Sequence, residues 1–363
     1  MKLLFIIIIM MISLFAHGSA FLRQKALNKG LIAIPKDFQD LKKMVDDIDN
    51  PITAQKIYLG KKLFFDKNLS KSREIACAKC HKLDKGGVDG LPTAIGHNSL
   101  KNPSHLNSPT VLNASFSKHL FWDGRAKSLK EQAAGPMQAP FEMASTPELV
   151  VSRVKENPDY KTLFVKAYKS KDSINFKNIT SAIEVYEKTL VTRGSFDRFL
   201  DGDDEALSIS AKRGLNLFIN LGCKGCHFGP AVGGQKIQQF PLRDYNSIIR
   251  ITSTYHEDID KREVTDMGFN FKMYHPYPFK NIGGFMGKDG TQKFRVPILR
   301  NISKTAPYFH NGVVKTLREA ISIMSIYQIG IDLTPKQLDN MEDFLKSLDG
   351  ELVDYNLSEE CVF

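Results

Sequence analysis

Alternating apolar and polar runs of any length are missing from this sequence, which excludes a fold built on extended sheets. Basic clusters are missing too. The formal net charge is +10, yet its lysines and arginines are scattered and no basic patch is interleaved with aromatic residues, so nucleic acid is excluded as a partner. The surplus charge reads as a solubility feature. Only one apolar run is long, from the start of the chain to Phe15, and it is too short to span a bilayer comfortably. Cysteine and tryptophan are scarce, with five and one in 363 residues.

Four of those cysteines stand in two copies of one pattern. Cys77-Ala78-Lys79-Cys80-His81 recurs as Cys223-Lys224-Gly225-Cys226-His227. Two thiols on one short turn can add to the two vinyl groups of a single porphyrin, and the adjacent His reaches the iron from the same side. A redox dithiol, a small disulfide or half a zinc site each need only the Cys pair and leave the following His unexplained, twice. The expectation is two covalently bound c-type haems. The fifth cysteine, Cys361, is left over close to the C-terminus.

The expected fold is mainly α, with two cytochrome-c-like domains holding one haem each. With 42% hydrophobic residues, the chain can bury cores of that size. The segment Gly60-Lys61-Lys62-Leu63-Phe64 aligns with Gly214-Leu215-Asn216-Leu217-Phe218, each ahead of its Cys pair, which is an internal repeat. The polar stretch Asp197 to Ser210 marks the boundary. Residues 1–20 read as a secretory signal ending in Gly18-Ser19-Ala20, residues 21–200 as the first haem domain, 201–349 as the second and 350–363 as a tail. A short helix is expected near Asp37 to Asp47, and helix starts at Thr146, Thr316 and Thr334. Glycine-rich loops, Lys82 to Lys101 and Gly229 to Gly290, follow the motifs, and loops of that length are usually functional.

His81 and His227 supply one ligand to each iron, and the sixth position decides what each haem does. Downstream of the second motif the candidates are Met267, Met273, Met286, Met324 and Met341, and counting does not choose among them. His97, His105, His119, His256, His275 and His310 are equally open.

Three further motifs occur in order with the attachment sites: Phe121-Trp122-Asp123-Gly124-Arg125-Ala126, then Gly135-Pro136-Met137-Gln138-Ala139-Pro140-Phe141-Glu142-Met143, then Thr305-Ala306-Pro307-Tyr308-Phe309-His310-Asn311-Gly312. Together they resemble the bacterial di-haem cytochrome c peroxidases, from about Ala54 to the last helix. The resemblance implies a periplasmic enzyme that reduces hydrogen peroxide to water with electrons from a small c-type cytochrome or a cupredoxin. It makes the first haem the low-potential, peroxide-reacting one, with His97 as a displaceable distal ligand, Glu142 as acid-base and Gln132 and Pro136 beside the pocket. The second becomes the high-potential electron store, ligated by His227 and Met324, with Trp122 as the route between them. It further implies calcium held by Asn107 and the carbonyls of Thr305 and Pro307, a homodimer, and a tail returning to the first domain. Between Gly234 and Phe294 the match thins, leaving Met286 as second choice to Met324. A di-haem electron-transfer cytochrome without peroxidase activity is the alternative, but it gives Glu142 no role. The related branch that matures a protein partner's cofactor carries Tyr in place of Met324.

Overall fold

The computed structural model describes residues 18–242 and 278–355. Met267, Met273, His256, His275, Cys361 and most of the expected signal lie outside the described residues. Helices joined by long loops dominate, and the described strands form two two-stranded antiparallel sheets of three residues per strand. None of the described helices is long and apolar enough to cross a membrane.

Hydrophobic side chains collect into two cores. One gathers residues between Ile34 and Val191, including Leu59, Leu63, Phe64, Phe164 and Ile183. The other gathers Phe196, Leu215, Phe218, Phe344 and Leu348, with Ala26 and Leu31 from the first described helix, residues 18–28, and the turn after it. The start of the described chain therefore lies on the second core. Arg23 pairs with Asp204 (2.6 Å), and the Gly229 N–H donates to Gly30 O (2.7 Å). The end of the chain goes the other way. Gly350–Leu352 pairs with Thr192–Gly194, and Val353 and Tyr355 pack on the first core.

Each core is built on one tight helix crossing. Helix Ala54–Phe64 crosses Phe176–Glu187 at Gly60, where an added Cβ would stand 2.0 Å from Ala182 O. Helix Ile209–Asn220 crosses Pro335–Lys346 at Gly214, where it would stand 1.9 Å from Asn340 O. The aligned glycines thus mark equivalent backbone contacts. The helix starts follow the expected capping chemistry, with Asp37, Thr146, Thr316 and Thr334 each accepting backbone N–H groups of the first turn.

The repeat runs further than the glycine segments. Asn113 and Asn301 are both fully buried with φ near +61°, and each opens a short 3-10 turn. Both side-chain amides donate to the single hydroxyl of Thr192, at 2.9 and 2.8 Å. That one residue thus joins the two equivalent turns.

Asp197, expected to begin a polar break, is instead fully buried inside helix Ser195–Leu200. Its carboxylate pairs with Arg300 Nη1 at 2.6 Å and accepts the N–H groups of Ile34 and Gly194. The remaining donors of Arg300 reach Pro230 O and Ile32 O. A sequence reading takes a carboxylate as solvent-facing, whereas here three partners on the carboxylate, and two more on its arginine, make burial tolerable.

Gly60→Ala is expected to lower unfolding free energy by about 1–3 kcal/mol, because the two helices must part to admit a methyl group; urea titration measures it. Asp197→Ala leaves Arg300 buried without an anion and is expected to cost about 3–5 kcal/mol in the same titration.

Candidate active site

Both motifs fold the same way. The backbone N–H of each motif His donates back to the carbonyl of its first Cys, His81 to Cys77 and His227 to Cys223, both at 3.0 Å. One turn thereby puts two thiols and one imidazole on the same wall. In each half that wall belongs to a largely apolar cavity, of about 330 Å³ beside Cys77, Cys80 and His81 and about 410 Å³ beside Cys223, Cys226 and His227.

His81 Nδ1 lies 3.3 Å from Gly87 O, which leaves Nε2 free to face iron. His227 Nδ1 makes no well-formed hydrogen bond, although the carbonyls of Val232 and Pro297 face it. Burial lowers the pKa of both rings, that of His227 to about 4, so both stand neutral at pH 7 as ligation requires. Burial also raises the thiols, Cys80 to about 12 and Cys223 to about 11. No group of three or more His, Cys, Asp or Glu side chains suited to a metal ion occurs among the described residues. Paired thiols and a neutral imidazole on an apolar cavity wall fit a c-type haem and do not fit zinc.

The cavities differ in the rest of their lining. Gln132, Pro136, Phe141 and Glu142 line the first. Burial raises the pKa of Glu142, with Arg125 pulling against it. Arg125 lies over the Phe121 ring at 3.5 Å and pairs with Asp123 at 2.9 Å. His97 is not on the cavity wall, though Gly96 is, and its N–H donates to Glu142 O at 2.7 Å. The second cavity is lined by His310, Met324 and Met341. Met286 is not on that wall and packs its sulfur near Asn281. Asn107, Thr305 and Pro307 all come to the second cavity, while His105 and His119 reach neither.

Residues 107–110, Trp122 and Arg295 line both cavities and so form the wall between them. Trp122 Nε1 donates to Asn107 O at 2.8 Å, and its ring meets that of His310 edge-on at 6.4 Å. Arg295 and the wall residues after Asn107 escaped the reading of the sequence. A signal was present: the separation of Asn113 from Asn301 is also that of Asn107 from Arg295, Trp122 from His310 and Pro136 from Met324.

Residues 54–205 match the family model described as di-haem cytochrome c peroxidase. The chain is 40% identical over 334 residues to the cytochrome c551 peroxidase of Nitrosomonas europaea, covering 90% of this chain and 88% of the relative. It belongs to the di-haem cytochrome c peroxidase family. The cytochrome c551 peroxidase of Pseudomonas aeruginosa is 41% identical over 83% of this chain and 80% of its own length. The methylamine utilization protein MauG of Methylorubrum extorquens is 33% identical over 84% of this chain and 78% of its own. Among solved structures, a MauG-like protein associated with microbial copper homeostasis shares the fold, with a TM-score of 0.67 and 24% identity over 87% of this chain and 95% of that one. Membership implies two c-type haems, and the two cavities have the side chains to hold them.

Intact-mass measurement of the mature protein is expected to give the polypeptide plus two haems, and Cys223→Ser with Cys226→Ser to give one haem fewer.

Proposed function

We propose that this protein is a periplasmic cytochrome c peroxidase in which the first cavity reacts with hydrogen peroxide and the second receives and stores electrons. The observation that carries this is an asymmetry inside the repeat. Helices Leu129–Gln138 and Leu317–Met324 start from equivalent caps, Ser128 and Thr316, and their eighth residues are Pro136 and Met324, each on its cavity wall. A thioether can fill a sixth iron position and favours electron transfer, whereas a proline offers no donor atom. Glu142 lines the same cavity as Pro136.

When bound, the haems supply peroxide activation at an open position and one-electron storage at a closed one. The protein's own part is proton movement and positioning. Cleaving the peroxide bond to water requires a proton moved from one oxygen to the other, and Glu142 serves as that acid-base. Its raised pKa suits it to both taking and returning the proton. Gln132 and Pro136 bound the space in which peroxide sits. Electrons reach the first cavity through Trp122, which is shared by both walls and held by Asn107. His97, one residue beyond the Gly96 on the wall, is the displaceable ligand of the resting enzyme. Its backbone bond to Glu142 makes the two segments move together.

The proposal places residues 21–200 and 201–349 as the two haem domains, with the 18–34 lead-in strapped over the second and the tail returned to the first. Asn107, Thr305 and Pro307 hold calcium by oxygen atoms. A small c-type cytochrome or cupredoxin delivers electrons singly to the second haem, and the enzyme works as a homodimer. Export follows from the apolar N-terminal run and from thioether attachment of haem.

Peroxide-dependent oxidation of a reduced small cytochrome c is expected from half-reduced enzyme and not from fully oxidised enzyme. Glu142→Gln is expected to lower that turnover by about 10²–10⁴-fold with both haems retained. Undiminished turnover in the variant would remove Glu142 from the mechanism, and turnover in both redox states would remove the His97 gate.

A further inference from the structure

Among the described residues, Arg295 is a buried cation with no anion. It is 4% exposed, in strand Lys293–Arg295 opposite Ile237, and its own N–H donates to Trp122 O at 2.8 Å. Among the described residues one of its five guanidinium N–H groups is used, with Nε donating to Phe121 O at 3.2 Å, and Cζ stands 5.8 Å from the centre of the Trp122 ring. Among the described residues it forms no ion pair. Burial lowers its pKa to about 10, and no carboxylate opposes that shift. The contrast with Arg300 is direct, since that equally buried guanidinium has Asp197 at 2.6 Å. A charge taken out of water without a partner is unfavourable enough that proteins avoid it or pair it.

Its position says what the missing anion is. Arg295 lines both cavities, and beyond the bond to Phe121 O its fork of donors has no partner among the described residues. Each haem carries two propionate carboxylates, the planar anions that a guanidinium binds best. We propose that Arg295 is the shared counter-ion of the two haems, donating to a propionate of each across the wall that also contains Trp122. This rests on the reading that both cavities hold haem. A fixed positive charge there favours the electron-rich state on each side, so it raises both reduction potentials together. It also keeps those propionates ionised beside the electron route.

The test is an equilibrium redox titration of the holoprotein, followed at both haems, for wild type, Arg295→Gln and Arg295→Lys, after a haem count on each. Downward shifts of both haems in Arg295→Gln, largely restored in Arg295→Lys, support the shared counter-ion. A shift at one haem only, or at neither, overturns it. Fewer than two haems in wild type would instead defeat the two-haem reading on which the proposal stands. If Arg295→Gln does not accumulate with both haems, Arg295→Lys against wild type decides by resonance Raman: altered propionate bending bands at both haems support the proposal, and unaltered bands overturn it.

Discussion

The ion pair of Asp197 and Arg300 is the contact on which the relation between the two halves depends. It is fully buried, and it gathers four separate stretches of chain: the lead-in at Ile32 and Ile34, the Gly194 turn, the loop at Pro230 and the strand exit at Arg300. Two ions buried in an apolar interior gain little over well-packed hydrocarbon, but once there neither can be left alone. Their value is therefore geometric. The pair admits one arrangement of those four segments, and the cavity walls at Val232, Pro297 and Ile298 hang from two of them.

Much of this was legible in the sequence. The Cys-x-x-Cys-His repeats located both cavities, and Gly60 and Gly214, legible as an internal repeat, prove to stand at the helix crossings, where only a glycine lets two backbones come so near. Helix starts were legible because their capping is local chemistry between a side chain and the next turn. The role of Asp197 was not legible, since its partner lies 103 residues away and a lone carboxylate in a polar stretch looks solvated. The wall escaped for a related reason. No single residue among 107–110 and 295 has unusual chemistry, and their significance comes from facing two cavities at once. Met324 and Met341 could not be told apart by counting, and both line the second cavity.

The duplicated architecture explains how one fold holds two different environments. Each half presents the same turn of two thiols and an imidazole, the same buried asparagine in a left-handed turn and the same sharp bend at Phe121 and Phe309. Part of what differs is carried by one helix per half, where Pro136 and Met324 take the same place from the cap, although the first helix runs on to Gln138 and the second passes into a π-turn at Ser325. The carboxyl of Glu142 comes from the segment after the first of these helices, where the chain turns back toward Gly96 and His97.

Because Trp122, Arg295 and residues 107–110 belong to both cavities, the partition between them is a single layer of protein. The outer walls differ, as at Pro136 and Met324, and each is felt on one side only. A change in the shared layer is felt on both sides at once. The two halves can therefore be altered separately everywhere except along the surface where they communicate, and on that surface equivalent positions of the repeat carry different side chains, Asn107 against Arg295 and Trp122 against His310.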